Sequence, residues 1–257
     1  MNPAEFDNIA AAERQFWWYR GMRQILFSML DGYVAPRHIR RALEAGCGTG
    51  YFSRLVEQRY EFSVFPVDLG WEGLKHARRM GIGRLAQCNV AALPFPDESF
   101  DLVLSMDVIV HFPRGGEAEA LREMARVLAP GGLLALRASA LDVLRSKHSE
   151  FADEKQRFTR KRLLAAVEAC GLKTLRCTYA NSLLLPLALA KFRIWEPLTR
   201  TPPQSGVQPV PAWLDRLLHF PLTLESRILA RGWRLPLGQS LVLVAEKPAL
   251  PLTPQSN

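Results

Sequence analysis

Residues 43–53 read Leu43-Glu44-Ala45-Gly46-Cys47-Gly48-Thr49-Gly50-Tyr51-Phe52-Ser53. An apolar strand runs into three glycines at alternating positions, and an amphipathic helix follows. Glycine there lets the backbone turn sharply and lets a ligand approach where a side chain would block it. The free N–H groups opening the helix favour an electron-rich partner. The stretch therefore reads as a nucleotide-type cofactor loop. A dinucleotide fingerprint would require a third glycine where Tyr51 stands, and a Walker loop would require a Gly-Lys-Ser/Thr ending that is missing.

The flanking sequence extends the pattern. Ser63-Val64-Phe65-Pro66-Val67-Asp68 reads as a second strand ending in a carboxylate, about 20 residues past the glycines, the spacing of a ribose-binding acid. Residues 83–88 form a third short apolar run followed by Asn89-Val90-Ala91. Residues 93–106, from Leu93-Pro94-Phe95-Pro96-Asp97 to Leu104-Ser105-Met106, supply a fourth strand. Pro130-Gly131-Gly132 turns the chain into a fifth, Leu133-Leu134-Ala135-Leu136. Strands alternating with helical patterns imply a doubly wound sheet. Helices are expected near 51–59, 70–80, 116–128 and 159–170, and strands near 41–46, 62–67, 84–88, 101–106, 132–138, 172–179 and 240–246.

Together, the E-x-G-x-G-x-G loop, Asp68 and the fourth- and fifth-strand motifs resemble those of class I S-adenosylmethionine (SAM)-dependent methyltransferases, of the type 11 and type 12 kind. The resemblance covers residues 40–180 well and the rest loosely. It implies an α/β fold: a doubly wound, mostly parallel seven-stranded sheet whose antiparallel last strand, 240–246, inserts between the fifth and sixth. It also implies SAM as cofactor. The glycines Gly46, Gly48 and Gly50, with Cys47, would pass its methionine part while Glu44 supports the loop and the ammonium end. Asp68 would meet the ribose and Asn89 the adenine, and Leu69, Val90, Ala91, Met106 and His111 complete the expected cofactor set. Asn89 stands where the family commonly has Asp. The N-terminal run Phe16-Trp17-Trp18-Tyr19-Arg20 is similar to a cap motif that covers the cofactor in related enzymes, which brings Tyr19 and Arg20 into the cofactor set.

Methyl transfer from a sulfonium is an in-line displacement in which alignment supplies much of the rate, so no universal catalytic residue follows from the family. His111, after the fourth strand, is the first candidate base, because the carboxyl ends of the strands face the ligand crevice. His148 and Glu150, after the fifth strand, are the second. Arg157 is a candidate for an anionic substrate group, and Thr159 for a helix N-cap.

Composition narrows the rest. The 257 residues carry a formal charge of +8, with Arg145, Lys147, Lys155, Arg157, Arg160, Lys161 and Arg162 clustered before one helix. There is no nucleic-acid module, so no nucleic-acid partner is expected. The four cysteines form no C-x-x-C pair, so neither metal nor disulfide is expected. No apolar run approaches the roughly 20 residues of a membrane span, and the first residues lack signal-peptide character. The expected location is the cytoplasm, with peripheral contact at the inner membrane face as a variant.

Five segments result: a helical cap over 1–35, a SAM-binding core over 36–180, a helical insert over 181–239, a final core strand over 240–247 and a disordered tail over 248–257. Residues 4–31 read as one helix stopped by Gly32, and the insert as helices over 181–195 and 212–231. The insert has three readings: a lid on the acceptor pocket, a membrane-lying surface with Trp195, Trp213 and Trp233 at the interface, or packing against the core. The expected function is SAM-dependent methyl transfer to a small-molecule or lipid-linked acceptor, at oxygen first. The alternatives are a SAM-binding protein without turnover, a membrane scaffold, and an NAD(P)-dependent oxidoreductase.

Overall fold

The computed structural model describes residues 1–200, 202–208 and 210–249; most of the expected tail lies outside them. Seven strands, β1 (Arg41–Ala45), β2 (Ser63–Asp68), β3 (Ala86–Gln87), β4 (Phe100–Met106), β5 (Leu128–Ser139), β6 (Lys173–Ala180) and β7 (Ser240–Glu246), form one sheet in the order β3-β2-β1-β4-β5-β7-β6. β1 pairs in parallel with β2 and β4, β4 with β5, and β2 with β3, while β7 runs antiparallel to β5 and β6. The doubly wound sheet with its inserted antiparallel strand is the architecture the motifs implied. The central strands are buried on both faces, which is why β4 and β7 read as continuous apolar runs rather than alternating ones. Strand order reverses between β1 and β4, and the crevice opens beyond their carboxyl ends.

Each face of the sheet has its own core. On one, Leu121 and Met124 of α5 (Glu117–Val127) and Leu163 and Val167 of α7 (Arg160–Glu168) pack against Val103 and Leu134. On the other, Met22, Ile25 and Met29 of α2 (Trp17–Val34), Val56 of α3 (Tyr51–Tyr60), and Leu222 and Leu229 of α10 (Ala212–Ala230) cover Leu102, Leu104 and Val242. Burying each such side chain contributes about 1.5–3 kcal/mol. α4 (Trp71–Arg79) follows β2, and α6 (Lys147–Phe151) follows β5.

Three expectations are corrected. The N-terminal helix is two helices, α1 (Pro3–Ala12) and α2, with an extended residue, Phe16, opening the second. No helix breaker marks that junction. It is set from outside, because the Asp215 carboxylate on α10 accepts the Trp17 N–H at 2.8 Å and pairs with Arg20. Gly32 does not stop α2, which runs on to Val34. The insert's first helix begins at Leu185, not 181: Asn181 takes a left-handed φ of 55°, and Pro186 sits in the first turn, where a missing N–H costs nothing. This helix, α8 (Leu185–Ala190), passes through a π turn at Lys191–Trp195 into α9 (Glu196–Thr199).

A candidate cofactor and acceptor site

β1 delivers its carboxyl end into the glycine loop. The Gly46 and Cys47 N–H groups both donate to the Val67 carbonyl at 2.8 Å, fastening the loop to β2. Gly46 has φ 86°, and a Cβ there would stand 2.1 Å from Val108 Cγ2, so only glycine fits. Gly48, at φ 56°, would meet nothing nearer than Phe6 at 4.0 Å, which leaves its flank open to a ligand. Asp68, ending β2, accepts the Gly48 N–H at 2.7 Å and the Gly70 N–H at 2.6 Å. Glu44 is buried beneath the loop, where Ser53 donates to its carboxylate.

Three acids thus crowd one end of the crevice. Burial pushes the Glu44 carboxyl up to about 8, with repulsion from Asp68 and Glu13 adding to the effect. Burial likewise raises Asp68, and it raises Glu13 to about 6. Carboxyls held this way favour a cation that restores their ionisation.

The crevice is a cavity of about 1090 Å³, ample against the roughly 300–1,000 Å³ of ordinary ligand sites. Glu44, Gly46, Cys47, Gly48, Asp68, Leu69, Asn89, Val90 and Met106 line it. His111, His148, and side chains of α8 and the π turn, among them Leu187 and Phe192, line it as well. The His111 Nδ1–H donates to the Asp153 carbonyl at 3.1 Å, since a carbonyl can only accept; Nε2 therefore carries the lone pair. Burial holds this imidazole below its ordinary 6.5, so it is neutral at pH 7. His148 is the opposite tautomer. Its Nδ1 accepts the Gly206 N–H at 3.0 Å, leaving Nε2–H as a donor.

Residues 43–136 match the family model of the methyltransferase domain. Residues 43–136 carry a methyltransferase domain. A probable S-adenosylmethionine-dependent methyltransferase of Mycobacterium tuberculosis is 38% identical over 120 residues, 46% of this chain and 41% of that protein. A malonyl-[acyl-carrier protein] O-methyltransferase of Halorhodospira halophila is 35% identical over 148 residues, 51% of this chain and 50% of that one. The chain spans half or less of the length of these curated relatives. Among solved structures, a SAM-dependent methyltransferase from Archaeoglobus fulgidus superposes with a TM-score of 0.57 at 18% identity, over 91% of this chain and 97% of that one; it shares the fold.

The cofactor of the methyltransferase domain is SAM, and the residues present suit it. The open flank of Gly48 leaves room for the ligand. Buried acids at the loop suit a cationic ligand, and Asp68 is an acceptor-only group beside that space, the chemistry a ribose diol requires. Tyr51, which opens α3, stands where a dinucleotide domain would need glycine.

Several expected site residues stand elsewhere. Arg20 does not line the cavity; its guanidinium is drawn to Asp215 and ties α2 to α10. Gly50 and Ala91 also lie off the cavity wall. A Cβ on Gly50 would stand 2.8 Å from Ala77, so that glycine serves helix packing, and the Ala91 N–H donates to Asn89 Oδ1 at 3.0 Å. That bond uses one lone pair of the carbonyl proposed for adenine. Tyr19 does line the cavity, its hydroxyl pKa raised by burial and then by Glu5. The Arg157 guanidinium lines the cavity and donates to Glu154, the Ala140 carbonyl and Ser149, which fixes it in the wall. Glu150 is exposed, paired with Lys147 and off the cavity wall. Thr159 caps α7 as expected, accepting the Arg162 N–H.

Sequence reading missed α1's part. Phe6 packs against Gly70 and Gly73 beside the loop, and Thr49 donates to Glu13 at 2.6 Å, latching the first helix onto the loop. The signal was present: Phe6, Ile9 and Glu13 share one helical face, and all three line the cavity. The Arg137–Asp107 pair, with Arg137 4.6 Å from the Trp18 ring, was also missed, because its members come from different strands and a helix.

Proposed function

We propose that this protein is a SAM-dependent methyltransferase acting on a small-molecule or lipid-linked acceptor, with an oxygen as the receiving atom. The observation that carries this reading is the single cavity, in which the acid-lined glycine loop shares one space with His111 and with apolar walls from the insert. Glu44, Asp68 and the open flank of Gly48 would hold SAM, which supplies an electrophilic methyl group. The chain's part is to align the acceptor, exclude water and, at His111 Nε2, take the acceptor's proton. A hydroxyl acceptor must lose its proton as the methyl arrives and the thioether leaves, and a neutral imidazole base can take that proton. His148, as a Nε2–H donor, would orient the acceptor instead. The malonyl-[acyl-carrier protein] O-methyltransferase relative is consistent with oxygen, and the 2-methyl-6-phytyl-1,4-hydroquinone methyltransferase of Synechocystis with an apolar acceptor.

The test is release of S-adenosylhomocysteine from methyl-labelled SAM against a panel of hydroxyl, carboxyl and amine acceptors, in soluble and lipid extracts. Label on an oxygen supports the reading, and label on nitrogen or carbon overturns its oxygen part. SAM binding that is lost in Asp68→Ala, with no label transferred to any fraction, would leave a SAM-binding protein without turnover.

A further inference from the structure

The helix α10 is apolar on two opposite sides. At about 100° per residue, Leu222, Glu225 and Leu229 share the side packed against the sheet and α2, and all three are buried. The other side carries Trp213, Leu217, Phe220 and Leu224, spaced four, three and four residues apart, so they fall within an arc of about 60°. These four are 67%, 60%, 66% and 40% exposed. One apolar stripe suffices to seat a helix on a core. The second stripe has no partner among the described residues.

The charges around it are sorted. Residues 181–239 contain three acids, Glu196, Asp215 and Glu225. All three are engaged with the protein: Glu196 accepts the Lys147 N–H, Asp215 caps α2, and Glu225, fully buried, accepts the Leu183 N–H at 2.6 Å. The same residues contain seven bases, Lys191, Arg193, Arg200, Arg216, Arg227, Arg231 and Arg234. Every one is exposed, and none forms an ion pair among the described residues. On the helical wheel Arg216 and Arg227 border the exposed stripe. A protein partner recognised by this face would have to be acidic along its whole length. A lipid surface with anionic headgroups meets both demands at once, apolar depth for the stripe and negative charge for its border.

We propose that the outer face of α10 docks this chain on an anionic lipid surface, with the helix lying in the plane of the interface. No helix here is long and apolar enough to cross a membrane, so the contact is peripheral. Leu187 and Trp195, exposed on the insert's other helical segment, line the cavity. Two aromatic anchors, Trp213 and Phe220, sit about two turns apart on this stripe, residue types that favour the headgroup boundary.

The experiment is co-sedimentation of the full chain with phosphatidylcholine vesicles, with and without phosphatidylglycerol. The expected result is binding to the phosphatidylglycerol vesicles that weakens with added salt. Partition should fall about tenfold or more in Leu217→Glu/Phe220→Glu, since each residue would withdraw a side chain from the layer. Arg216→Glu/Arg227→Glu should lose the preference for anionic vesicles. Both pairs are exposed, so melting temperature should hold, and a calorimetric SAM titration of the same samples reports the cofactor reading separately. Failure of the wild type to bind, or binding unchanged in the Leu217/Phe220 variant, overturns the proposal. So does a concentration-dependent dimer abolished by that variant, which would assign the stripe to a second copy of the chain.

Discussion

Glu44 stands neutral at neutral pH until a cation arrives, and this makes its titration readable. Its folded-state value, about 8, lies above the ordinary 4.5, so the unliganded protein is relatively most stable below pH 4.5 and gives up that contribution as pH climbs through 8. A bound cation reverses the preference. SAM binding at pH 7 should therefore release a proton, and affinity should rise up to about pH 8 and then level. Calorimetry in buffers of different ionisation enthalpy checks this; equal apparent enthalpies would mean that Glu44 is already ionised. The Glu44→Gln protein should lose the rise toward pH 8 and keep the part that belongs to Glu13, nearer 6. His111 titrates with the opposite charge change. With its pKa held below 6.5, activity should be flat near neutrality and fall only on the acid side as the imidazole protonates. His111→Ala should lower the transfer rate by about two to four orders of magnitude with SAM affinity nearly unchanged. A fully active variant would leave alignment alone to account for the rate.

At the scale of elements, the junction between cap and insert is the most informative. Asp215 closes the α2 N-terminus from a helix 198 residues away in sequence. Asp215→Ala should cost about 1–2 kcal/mol, the ordinary worth of an N-cap, read as a lower melting temperature, while Asp215→Asn should keep most of the cap and lose only the pairing with Arg20. Sequence could not have located this contact. Local patterns set β1, β4, β5 and β7 because their apolar runs are long and both sheet faces are covered, and they set the glycine loop because backbone conformation itself demands glycine at Gly46. They failed between Ala12 and Trp17, where the break is imposed by a distant carboxylate. For the same reason Arg20 was drawn to the cofactor on paper and to Asp215 in space. For Arg157 the sequence displays the charge but not the Glu154, Ser149 and Ala140 groups that fix the guanidinium in place.

At the scale of the molecule, β7 occupies a position out of step with its place in the chain. It separates β5 from β6, so β6 has no other sheet neighbour. Removing residues from Ser240 onward should therefore delete two strands' worth of pairing and expose Val242 and Val244's partners in the core shared with α2 and α10. The expected outcome is loss of a cooperative thermal transition by circular dichroism; a truncated chain with a sharp melt would show that β6 holds to α7 alone. This arrangement also sets a timetable for a chain emerging from the ribosome. β1 to β5 and their helices can assemble as they appear, but β6 must wait, exposed along one edge, until the last described strand is made. The α2 cap waits too, for α10. The cofactor pocket is thus walled early and roofed late, so the step from a five-strand intermediate to a closed site waits until residues 240–246 have been made, and until then an unpaired edge is open to wrong partners.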